Sequence, residues 1–260
     1  MKGRPLRHTR SLAGRWVALV LPLYRLIAVL LITVFCVCRL IVACLIKGWT
    51  PQRVSHHASC WASVLVRHLN IDVTVNGTVP ENGVMIVANH RSYLDIVVIL
   101  SQVQAAFLAK QELRSWPVFG YAAMKGNTVF VDRSSRTSRE TSRHELLKRL
   151  QQGICVVVFP EGTTSEGPGL LDFHKGVFHL AAQQGVHTVP AAVCYENREA
   201  AWIGDDTFVP HFLRIFRNRR LNADLTFGPV FSEQPADILR EDCHRTIHDA
   251  LLRRESMEAA

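Results

Sequence analysis

The sequence predicts an α/β fold, with helices layered on both faces of a mostly parallel or mixed sheet and an N-terminal helical segment that anchors the chain to a membrane. Three observations predict it. Short apolar runs rich in β-branched residues, such as Val84–Ala88, alternate with helix-like stretches. The run ICVVVF at 154–159 is apolar throughout, as in strands covered on both faces. The stretch 16–46 carries no charge except Arg25 and Arg39.

The charge of the chain favours anionic partners. Thirty lysines and arginines stand against 22 acidic residues, which suits a phospholipid surface, a nucleotide-like substrate or nucleic acid. The first 15 residues hold five of these basic side chains and no acid: Lys2, Arg4, Arg7, Arg10 and Arg15. We interpret residues 1–15 as a basic tail held at the cytoplasmic side of an anionic membrane surface.

Residues 16–69 form the predicted membrane-associated helical segment. Its uncharged span Leu26–Cys38 has 13 residues, fewer than the roughly 20 needed to cross a bilayer. The sequence therefore leaves open whether the segment spans the membrane or lies in one leaflet. A signal peptide fits poorly, because the apolar region is too long and no small-residue cleavage site follows it. The part Pro51–Asn70 has Leu65 and Leu69 at helical spacing and is predicted to be a packed helix.

Residues 70–260 form the third predicted region, an α/β domain. The predicted strands are Ile71–Val79, Val84–Ala88, Ala106–Ala109, Val129–Val131, Ile154–Phe159, Thr188–Cys194, which Pro190 breaks, and Leu225–Phe231. The predicted helices begin at Ser92, span 134–152 and Lys175–Gln184, and end with Pro235–Glu258 on the surface. Strand ends of such domains converge on one sheet edge, where sites form.

The seven cysteines predict neither disulfides nor a metal centre. They are too few and too irregularly spaced for a disulfide framework, and no CxxC pair with histidine partners is present. Small buried apolar side chains are their expected role. This usage is typical of a reducing compartment.

The stretch from Val84 to Leu100 places polar residues between two apolar runs: Asn89, His90, Ser92 and Asp95. We interpret it as a strand, a turn and a helix. On one continuous helix His90 and Asp95 would diverge by roughly 140°, so they can meet only if His90 leaves the strand and Asp95 lies in the first helical turn. The carboxylate would then hold one imidazole nitrogen and leave the other free to accept a proton. This arrangement is the base and orienting acid of a triad without a protein nucleophile.

The same residues also have a structural interpretation. Ser92-x-x-Asp95 ahead of an apolar run predicts a helix N-cap with an acid in the first turn, and both interpretations can hold together. A serine hydrolase would use Ser92 as nucleophile, but no G-x-S-x-G elbow surrounds it. A nucleic-acid-binding protein would use the basic run 217–220, but no known binding motif accompanies it. A non-catalytic membrane scaffold stays open, and the variant His90→Ala separates it from an enzyme.

Four blocks along the chain resemble, in order, the motifs of the glycerolipid acyltransferases, the family of 1-acyl-glycerol-3-phosphate acyltransferases. They are NHRSYLD at 89–95, GNTVFVDR at 126–133, FPEGT at 159–163 and VPAAV at 189–193. The stretch KQELRSWPVFG at 110–120 is similar to the family's linker between the first two blocks. The resemblance covers residues 70–231 and makes 70–260 the expected acyltransferase domain.

The resemblance implies acyl transfer from acyl-CoA or acyl carrier protein to the free hydroxyl of a lysolipid. The first acceptor it implies is 1-acyl-glycerol-3-phosphate, which gives phosphatidic acid. His90 is the expected general base and Asp95 holds its tautomer. No cofactor is expected, since the acyl donor is a substrate, and nucleic acid is not an expected partner. The expected location is the cytoplasmic face of the bacterial inner membrane.

The expected substrate-binding residues follow from the same blocks. Arg133 would face an anionic headgroup, where a guanidinium makes paired bonds to phosphate. Glu161 would position the acceptor through a hydroxyl, and backbone N–H groups of the Gly162 turn are hypothetical oxyanion donors. The remaining candidates are Thr163, Lys110 and Lys125.

One position departs from the family pattern. The third block commonly carries arginine after Glu-Gly-Thr, and here Thr164 stands there. In the family that arginine is associated with the acceptor's phosphate. Thr164 therefore weakens the case for lysophosphatidic acid and favours another lysolipid, such as lyso-ornithine lipid.

Overall fold

The computed structural model describes residues 12–166 and 169–258 of the chain, so the predicted basic side chains from Lys2 to Arg10 lie outside the described residues. Its helices are α1 Leu12–Lys47, α2 Pro51–Leu69, α3 Leu94–Gln102, α4 Phe119–Lys125, α5 Arg136–Gln151, α6 Gly176–Gln184, α7 Phe208–Ile215 and α8 Ala236–Glu258. Its strands are β1 Ile71–Asn76, β2 Met85–Ala88, β3 Ala105–Lys110, β4 Val129–Val131, β5 Cys155–Val158, β6 Thr188–Tyr195 and β7 Leu221–Phe227.

The strands form one seven-stranded sheet in the order β1-β7-β6-β2-β5-β3-β4. Neighbouring strands are parallel except β6 and β7, which are antiparallel. The central strands β2 and β5 are buried at every residue, because helices cover both faces and leave no polar side. The predicted α/β class with a mostly parallel or mixed sheet is confirmed.

Two hydrophobic cores lie on opposite faces of the sheet. Alternate residues of β2 divide between them, with Ile86 in the first core and Val87 in the second, since successive strand side chains point to opposite faces. The first core lies beneath α2, α3 and α7 and takes part of α1. The second lies beneath α5, α6 and α8.

Helices α1 and α2 pack against each other and fix the N-terminal segment to the domain. Trp61 Nε1 of α2 donates to Thr33 Oγ1 of α1 at 3.0 Å. Arg25 of α1 contacts the domain directly. It is 6% exposed and donates to Phe216 O at 3.1 Å and Asn218 O at 2.6 Å, just after α7. The predicted packing of α2 through Leu65 and Leu69, both buried, is also present.

The outer face of α1 is apolar and exposed. Its exposed side chains recur every three or four residues: Val20, Leu23, Tyr24, Ile27, Leu31, Val34, Phe35, Val42, Leu45 and Ile46. The stretch Val20–Lys47 is long and apolar enough to cross a membrane, and 22% of its most apolar window is buried against the domain. An exposed apolar stripe of this length is unfavourable in water, so α1 associates the protein with a membrane.

The secondary structure differs from the prediction in several elements. Strand β6 is not broken at Pro190, because the proline carbonyl accepts from Gly228 N at 2.8 Å and the ladder continues on both sides. Strand β7 covers 221–227 rather than 225–231; its inward residues alternate with Asn222 and Asp224, which conceal the pattern. The short helices α4 and α7 were not predicted, since seven or eight residues carry little periodic signal.

Candidate active site

The predicted site residues follow strands that end at one edge of the sheet. Strands β6, β2, β5, β3 and β4 are neighbours in that order and run parallel. His90 follows β2, Glu161 follows β5, Lys110 ends β3 and Arg133 follows β4. Because parallel strands put their carboxyl ends at the same edge, these four residues share that edge.

Asn89 fixes the point where the chain leaves β2. Its side chain is fully buried, donates from Nδ2 to Val193 O at 2.9 Å and accepts from Val193 N at 2.7 Å. The last backbone pair between β2 and β6 is Ala88 with Ala191. Beyond that pair, the side-chain amide of Asn89 continues the contact between the two strands through the backbone of Val193. The turn that follows starts from a rigid position.

The predicted contact between His90 and Asp95 is present. His90 Nδ1 lies 2.8 Å from Asp95 Oδ2, across the turn that joins β2 to α3. The imidazole stacks on Phe159 with ring centres 4.0 Å apart. The side chain of His90 is 21% exposed and that of Asp95 fully buried. Among the described residues no hydrogen-bond partner occupies His90 Nε2, which leaves this nitrogen available for a substrate proton.

Asp95 also accepts the backbone amides of the turn. Its Oδ2 receives Arg91 N at 2.7 Å and Ser92 N at 3.0 Å. The prediction that Ser92 caps the helix is wrong, because Ser92 Oγ is buried without a hydrogen-bond partner among the described residues. The residue before α3, Tyr93, is itself helical and makes no side-chain cap. The Asp95 carboxylate instead holds the backbone of the turn that precedes α3.

Glu161 supports the backbone of His90. Its Oε1 accepts from His90 N at 2.7 Å, and its Oε2 accepts from Ser165 Oγ at 2.8 Å and Leu171 N at 3.0 Å. The residue is 3% exposed. Both oxygens are taken by protein donors, so the expected direct contact of Glu161 with an acceptor hydroxyl is not what this geometry provides. Glu161 instead ties the turn after β5 to the turn after β2.

Further bonds enclose the backbone around the imidazole. Ser165 N donates to His90 O at 2.9 Å, and Trp202 N donates to Arg91 O at 2.8 Å. Arg91 is 6% exposed, with Nη1 donating to Ser165 Oγ at 2.7 Å. Residues from two distant loops thus hold the peptide groups next to His90. Networks of this kind in a buried setting restrict the geometry of their members.

Gly162 makes the turn beside Glu161. Its φ is +77°, and a Cβ there would lie 2.8 Å from Arg133 Nη1 and 2.9 Å from His174 Nε2, so glycine is required. Arg133 Nη1 donates to Gly162 O at 2.5 Å. Gly162 N donates to Phe159 O at 3.1 Å. That amide is committed within its own turn and is not available to an oxyanion.

The remaining predicted binding residues are placed differently from one another. Thr163 is exposed next to Gly162, and Lys110 is exposed at the end of β3. Lys125 lies at the end of α4, with its ammonium 5.2 Å from the ring centre of Trp49 and 5.5 Å from that of Tyr121. Trp49 lies between α1 and α2. Lys125 therefore adjoins the membrane-associated segment.

Thr164 anchors an aromatic wall beside the turn. Its Oγ1 donates to Trp202 O. The Trp202 ring lies edge-on to Tyr93 at 5.5 Å and to Trp116 at 5.8 Å between ring centres, and its Nε1 donates to Asp206 O at 2.6 Å. Position 164 thus binds the protein's own loop.

A buried polar pair lies behind this wall. Tyr93 Oη and His211 Nδ1 are 3.1 Å apart, and His211 Nε2 lies 3.1 Å from Ala201 O. Burial lowers the pKa of His211 and raises the pKa of Tyr93. Both side chains are therefore neutral near neutral pH, and they link α3 to α7 and the Trp202 loop without a buried charge.

An apolar cavity of about 180 Å³ lies between α1, α2, α3, α4 and α7. The residues that line it include Leu65, Val97 and Phe107. The ring of Phe107 lies 5.9 Å from that of Phe159, which stacks on His90. Two aromatic rings thus connect the cavity with the imidazole. An apolar lining of this kind suits a hydrocarbon chain.

Two residues of the site, Tyr195 and Ser165, were not predicted from the sequence. Tyr195 Oη donates to the buried Asp95 at 2.7 Å, and Ser165 bonds Glu161 as described above. Burial and the charge of Asp95 raise the pKa of Tyr195 well above its ordinary value. The only signal in the sequence was that each residue follows a motif block by two positions.

His90 and Asp95 form the ionisable pair of the site. Among residues 12–166 and 169–258, no three histidine, cysteine, aspartate or glutamate side chains are arranged to hold a metal ion. His90 has the Asp95 carboxylate at one nitrogen, and Glu161 holds the backbone beside it. The chemistry this arrangement offers is proton transfer at Nε2 of His90 next to an apolar cavity.

A family model described as Acyltransferase matches residues 70–194. This range begins at β1 and ends inside β6, and it includes the turn of His90, Glu161 and Arg133. The match therefore contains each of the four motif blocks.

Several relatives are similar to this chain in sequence. The lyso-ornithine lipid O-acyltransferase of Rhizobium meliloti is 33% identical over 201 residues, 70% of this chain and 66% of that protein. The enzyme of the same description from Brucella abortus is 36% identical over 67% of this chain and 75% of its own length. The 1-acyl-sn-glycerol-3-phosphate acyltransferase of Neisseria gonorrhoeae is 40% identical over 58% of this chain and 60% of its own. The chain thus spans just under two thirds of the Rhizobium protein.

A solved structure has the same fold. The 1-acyl-sn-glycerophosphate acyltransferase PlsC from Thermotoga maritima superposes with a TM-score of 0.70 and covers 95% of this chain and 98% of its own. Its sequence identity is 24%. The likeness extends through the N-terminal helices as well as the sheet.

Proposed function

This chain belongs to the acyltransferase family, and we propose that it transfers a fatty acyl group from acyl-CoA or acyl carrier protein to the free hydroxyl of a lysolipid. The contact between His90 Nδ1 and the buried Asp95 carboxylate at 2.8 Å carries this proposal. It supplies a base with one nitrogen held and the other open. An apolar cavity lies beside it.

The acceptor hydroxyl is the nucleophile in this mechanism. His90 Nε2 takes the hydroxyl proton while the oxygen attacks the thioester carbonyl, forming the carbon–oxygen bond. The tetrahedral intermediate then expels the thiolate as the carbon–sulfur bond breaks, and the proton on Nε2 passes to sulfur. Asp95 keeps the proton of the neutral imidazole on Nδ1 and stabilises the imidazolium between the two steps.

The apolar cavity receives an acyl chain. Its lining comes from α1 and α2 as well as the domain, so an acyl chain can enter it from the membrane side. Phe107 and Phe159 lead from the cavity to His90. A chain bound there would have its carbonyl end near the imidazole.

The membrane-associated segment brings the site to its lipids. The exposed apolar stripe of α1 runs along its length while the opposite side packs on α2 and α7. A helix fixed to the domain in this way fits burial in one leaflet with the domain at the surface. The cytoplasmic face is the proposed side, because acyl-CoA and acyl carrier protein are found there.

Two acceptors are proposed. Lysophosphatidic acid is the one that the motif blocks imply first, with Arg133 facing its phosphate at the Gly162 turn. Lyso-ornithine lipid is favoured by Thr164, whose hydroxyl binds Trp202 O rather than presenting a cation. The names of the Rhizobium and Brucella relatives support the second acceptor, and that of the Neisseria relative the first.

A transfer assay in mixed micelles tests the proposal. Purified protein is given acyl-CoA or acyl carrier protein with lysophosphatidic acid and lyso-ornithine lipid in parallel, and the diacyl product is measured by mass spectrometry. We expect product with at least one acceptor, and a rate lower by on the order of 10² to 10⁴ with His90→Ala. A preference for lysophosphatidic acid assigns its phosphate to Arg133; the opposite preference makes Thr164 a specificity position.

The matched control is His179→Ala, an exposed histidine on α6, on the far face of the sheet. It should keep wild-type activity. A rate in His90→Ala within about tenfold of wild type contradicts the mechanism, and absence of product with every donor and acceptor contradicts the function.

A further inference from the structure

Asp95 has a hydrogen-bond donor that the catalytic pair does not explain. Tyr195, the last residue of β6, donates from Oη to Asp95 Oδ1 at 2.7 Å. The other donors, from His90, Arg91 and Ser92, all contact Oδ2. Among the described residues the tyrosine hydroxyl is the sole donor to Oδ1.

We propose that Tyr195 is a positioning residue of the acyltransferase site, which fixes the rotation of the Asp95 carboxylate and moderates its negative charge toward His90. Without this bond Oδ1 would lack its only donor, and the carboxylate could turn about χ2. With it, Oδ2 stays directed at His90 Nδ1. The effect on rate rests on the proposed function, whereas the effect on His90 titration does not.

The hydroxyl is suited to this role over a wide pH range. Tyr195 is 7% exposed and Asp95 is fully buried. Burial first, and the charge of Asp95 second, raise the pKa of Tyr195 well above its ordinary value, so the phenol keeps its proton. A neutral donor to a buried carboxylate makes a strong bond, because water does not compete for either group.

The other ionisable groups near this contact are accounted for. Glu161, from the turn after β5, accepts from His90 N. The guanidinium of Arg91 donates hydrogen bonds to Ser165 Oγ and Gly169 O. Tyr93 and Cys194 contribute small electrostatic effects on Tyr195. Neither Glu161 nor Arg91 donates a side-chain hydrogen bond to Asp95, and removal of the Tyr195 hydroxyl removes the bond to Oδ1.

The variant Tyr195→Phe removes the hydroxyl and keeps the ring. The uncompensated carboxylate should attract a protonated imidazole more strongly, so His90 should hold its proton to higher pH. Because the neutral imidazole is the base, the acid limb of the pH profile of kcat/KM should move to higher pH. We expect kcat to fall about tenfold, with KM within about twofold, as for loss of an interaction that orients a catalytic group.

Histidine NMR measures the titration without relying on activity. The protein in detergent micelles is labelled at its 12 histidines, and the His90 signals are assigned by their loss in His90→Ala. An alkaline shift of the His90 titration in Tyr195→Phe, with no shift in Tyr24→Phe, supports the proposal. Tyr24 is a matched control, since it is 59% exposed on α1. Unchanged titration of His90 in Tyr195→Phe overturns the proposal.

The kinetic arm separates this inference from the proposed function. If wild-type protein transfers acyl groups and Tyr195→Phe keeps its pH profile and kcat, the role of Tyr195 is refuted while the function stands. In the Asp95→Asn background, Tyr195→Phe should add little further loss, because it acts through Asp95. A full additional loss there would contradict that route.

A second perturbation covers the case in which Tyr195→Phe does not fold. Replacing the four tyrosines by 3-fluorotyrosine makes each phenol a stronger donor and keeps the hydroxyl. The His90 titration should then move to lower pH, opposite to the shift for Tyr195→Phe. No movement, or movement to higher pH, contradicts the proposal.

Discussion

The polar turn around His90 and the apolar cavity beside it are built on opposite principles. At the turn, each buried carboxylate oxygen of Asp95 and Glu161 receives a named donor between 2.7 and 3.0 Å away. In the cavity, aliphatic and aromatic side chains from five helices provide an apolar surface whose contacts do not depend on direction. The geometry of the turn depends on individual hydrogen-bonding atoms, whereas binding in the cavity depends on the volume that the cavity encloses.

This difference predicts how each region responds to substitution. Loss of one partner in the polar turn leaves a buried group unsatisfied, which is costly because no solvent replaces it. Apolar contacts are individually weak and mutually replaceable. Substitutions in the turn should therefore affect every substrate alike, and substitutions in the cavity should distinguish acyl chains by length.

The largest effect is expected for His90→Ala. It removes the base while the Asp95 carboxylate keeps its three other donors, so the fold should persist. The rate should fall by on the order of 10² to 10⁴, the usual contribution of a general base. Steady-state transfer kinetics with circular dichroism as the folding control measure it. Activity within about tenfold of wild type would contradict the assigned role.

Glu161→Gln tests the support of the turn rather than the base. Glu161 accepts three hydrogen bonds, from His90 N, Ser165 Oγ and Leu171 N. In the glutamine variant one oxygen cannot accept all three, and the NH₂ group faces a donor that also needs an acceptor. We expect a loss of about 1 to 3 kcal/mol in unfolding free energy. A fall in kcat of similar relative size for all acyl chains should accompany it.

The control for this variant is Glu166→Gln, which changes an exposed carboxylate. Its stability and kcat should match wild type. If Glu161→Gln instead raised KM for the acceptor with kcat unchanged, Glu161 would contact the acceptor directly, against the geometry described above.

Ala123→Leu tests the cavity, which Ala123 lines. The added side chain takes volume that two or three methylenes of an acyl chain would use, each worth about 0.8 kcal/mol. We expect kcat/KM for long-chain acyl donors to fall by on the order of tenfold, with short-chain donors unaffected. A competition assay with mixed acyl-CoA lengths measures the ratio.

Ala182→Leu, on α6 at the other face of the sheet, is the size-matched control and should leave the chain-length profile unchanged. Equal losses for all chain lengths in Ala123→Leu would mean that the cavity does not hold the acyl chain.

The smallest effect is expected for Asp206→Asn, at the rim of the aromatic wall. Asp206 makes a paired contact with Arg214 at 2.7 and 3.1 Å, and hydrogen bonding from Arg214 lowers the pKa of Asp206. Because the folded pKa lies below the unfolded one, the pair stabilises the fold above the unfolded pKa, and this contribution is lost as pH falls through the folded value.

This pair is part-exposed, so its loss should cost less than about 1 kcal/mol near neutral pH. Denaturant unfolding in micelles should give a difference between wild type and Asp206→Asn that shrinks as pH falls below about 4. A difference that grows in acid would contradict this sign.

Local sequence was sufficient for the parts of the site that are close along the chain. His90 and Asp95 are five positions apart, and the change from an apolar strand run to a helix run fixes how the backbone turns between them. The identity of the helix cap was not local in this sense. The Ser92 hydroxyl is buried without a hydrogen-bond partner among the described residues, and the Asp95 carboxylate accepts the amides of Arg91 and Ser92.

The partners of the carboxylates were decided by the order of strands in the sheet. Glu161 reaches His90 because β5 lies next to β2, and Tyr195 reaches Asp95 because β6 lies on its other side. Periodicity predicts that a strand exists but carries no information about its neighbours. The position of Tyr195 two residues after a motif block therefore did not reveal its contact with Asp95, and Glu161 was expected to contact substrate rather than the protein backbone.

The sequence by itself determined the α/β class, the membrane-associated segment, and the turn that carries the base, since these follow from composition and from contacts within a few residues. Only the tertiary structure decided which donors satisfy each carboxylate oxygen, that Thr164 binds the Trp202 loop, and that five helices enclose an apolar cavity. These features join residues far apart in the chain, and such contacts form only once the sheet has set its strand order and the helices have packed on it.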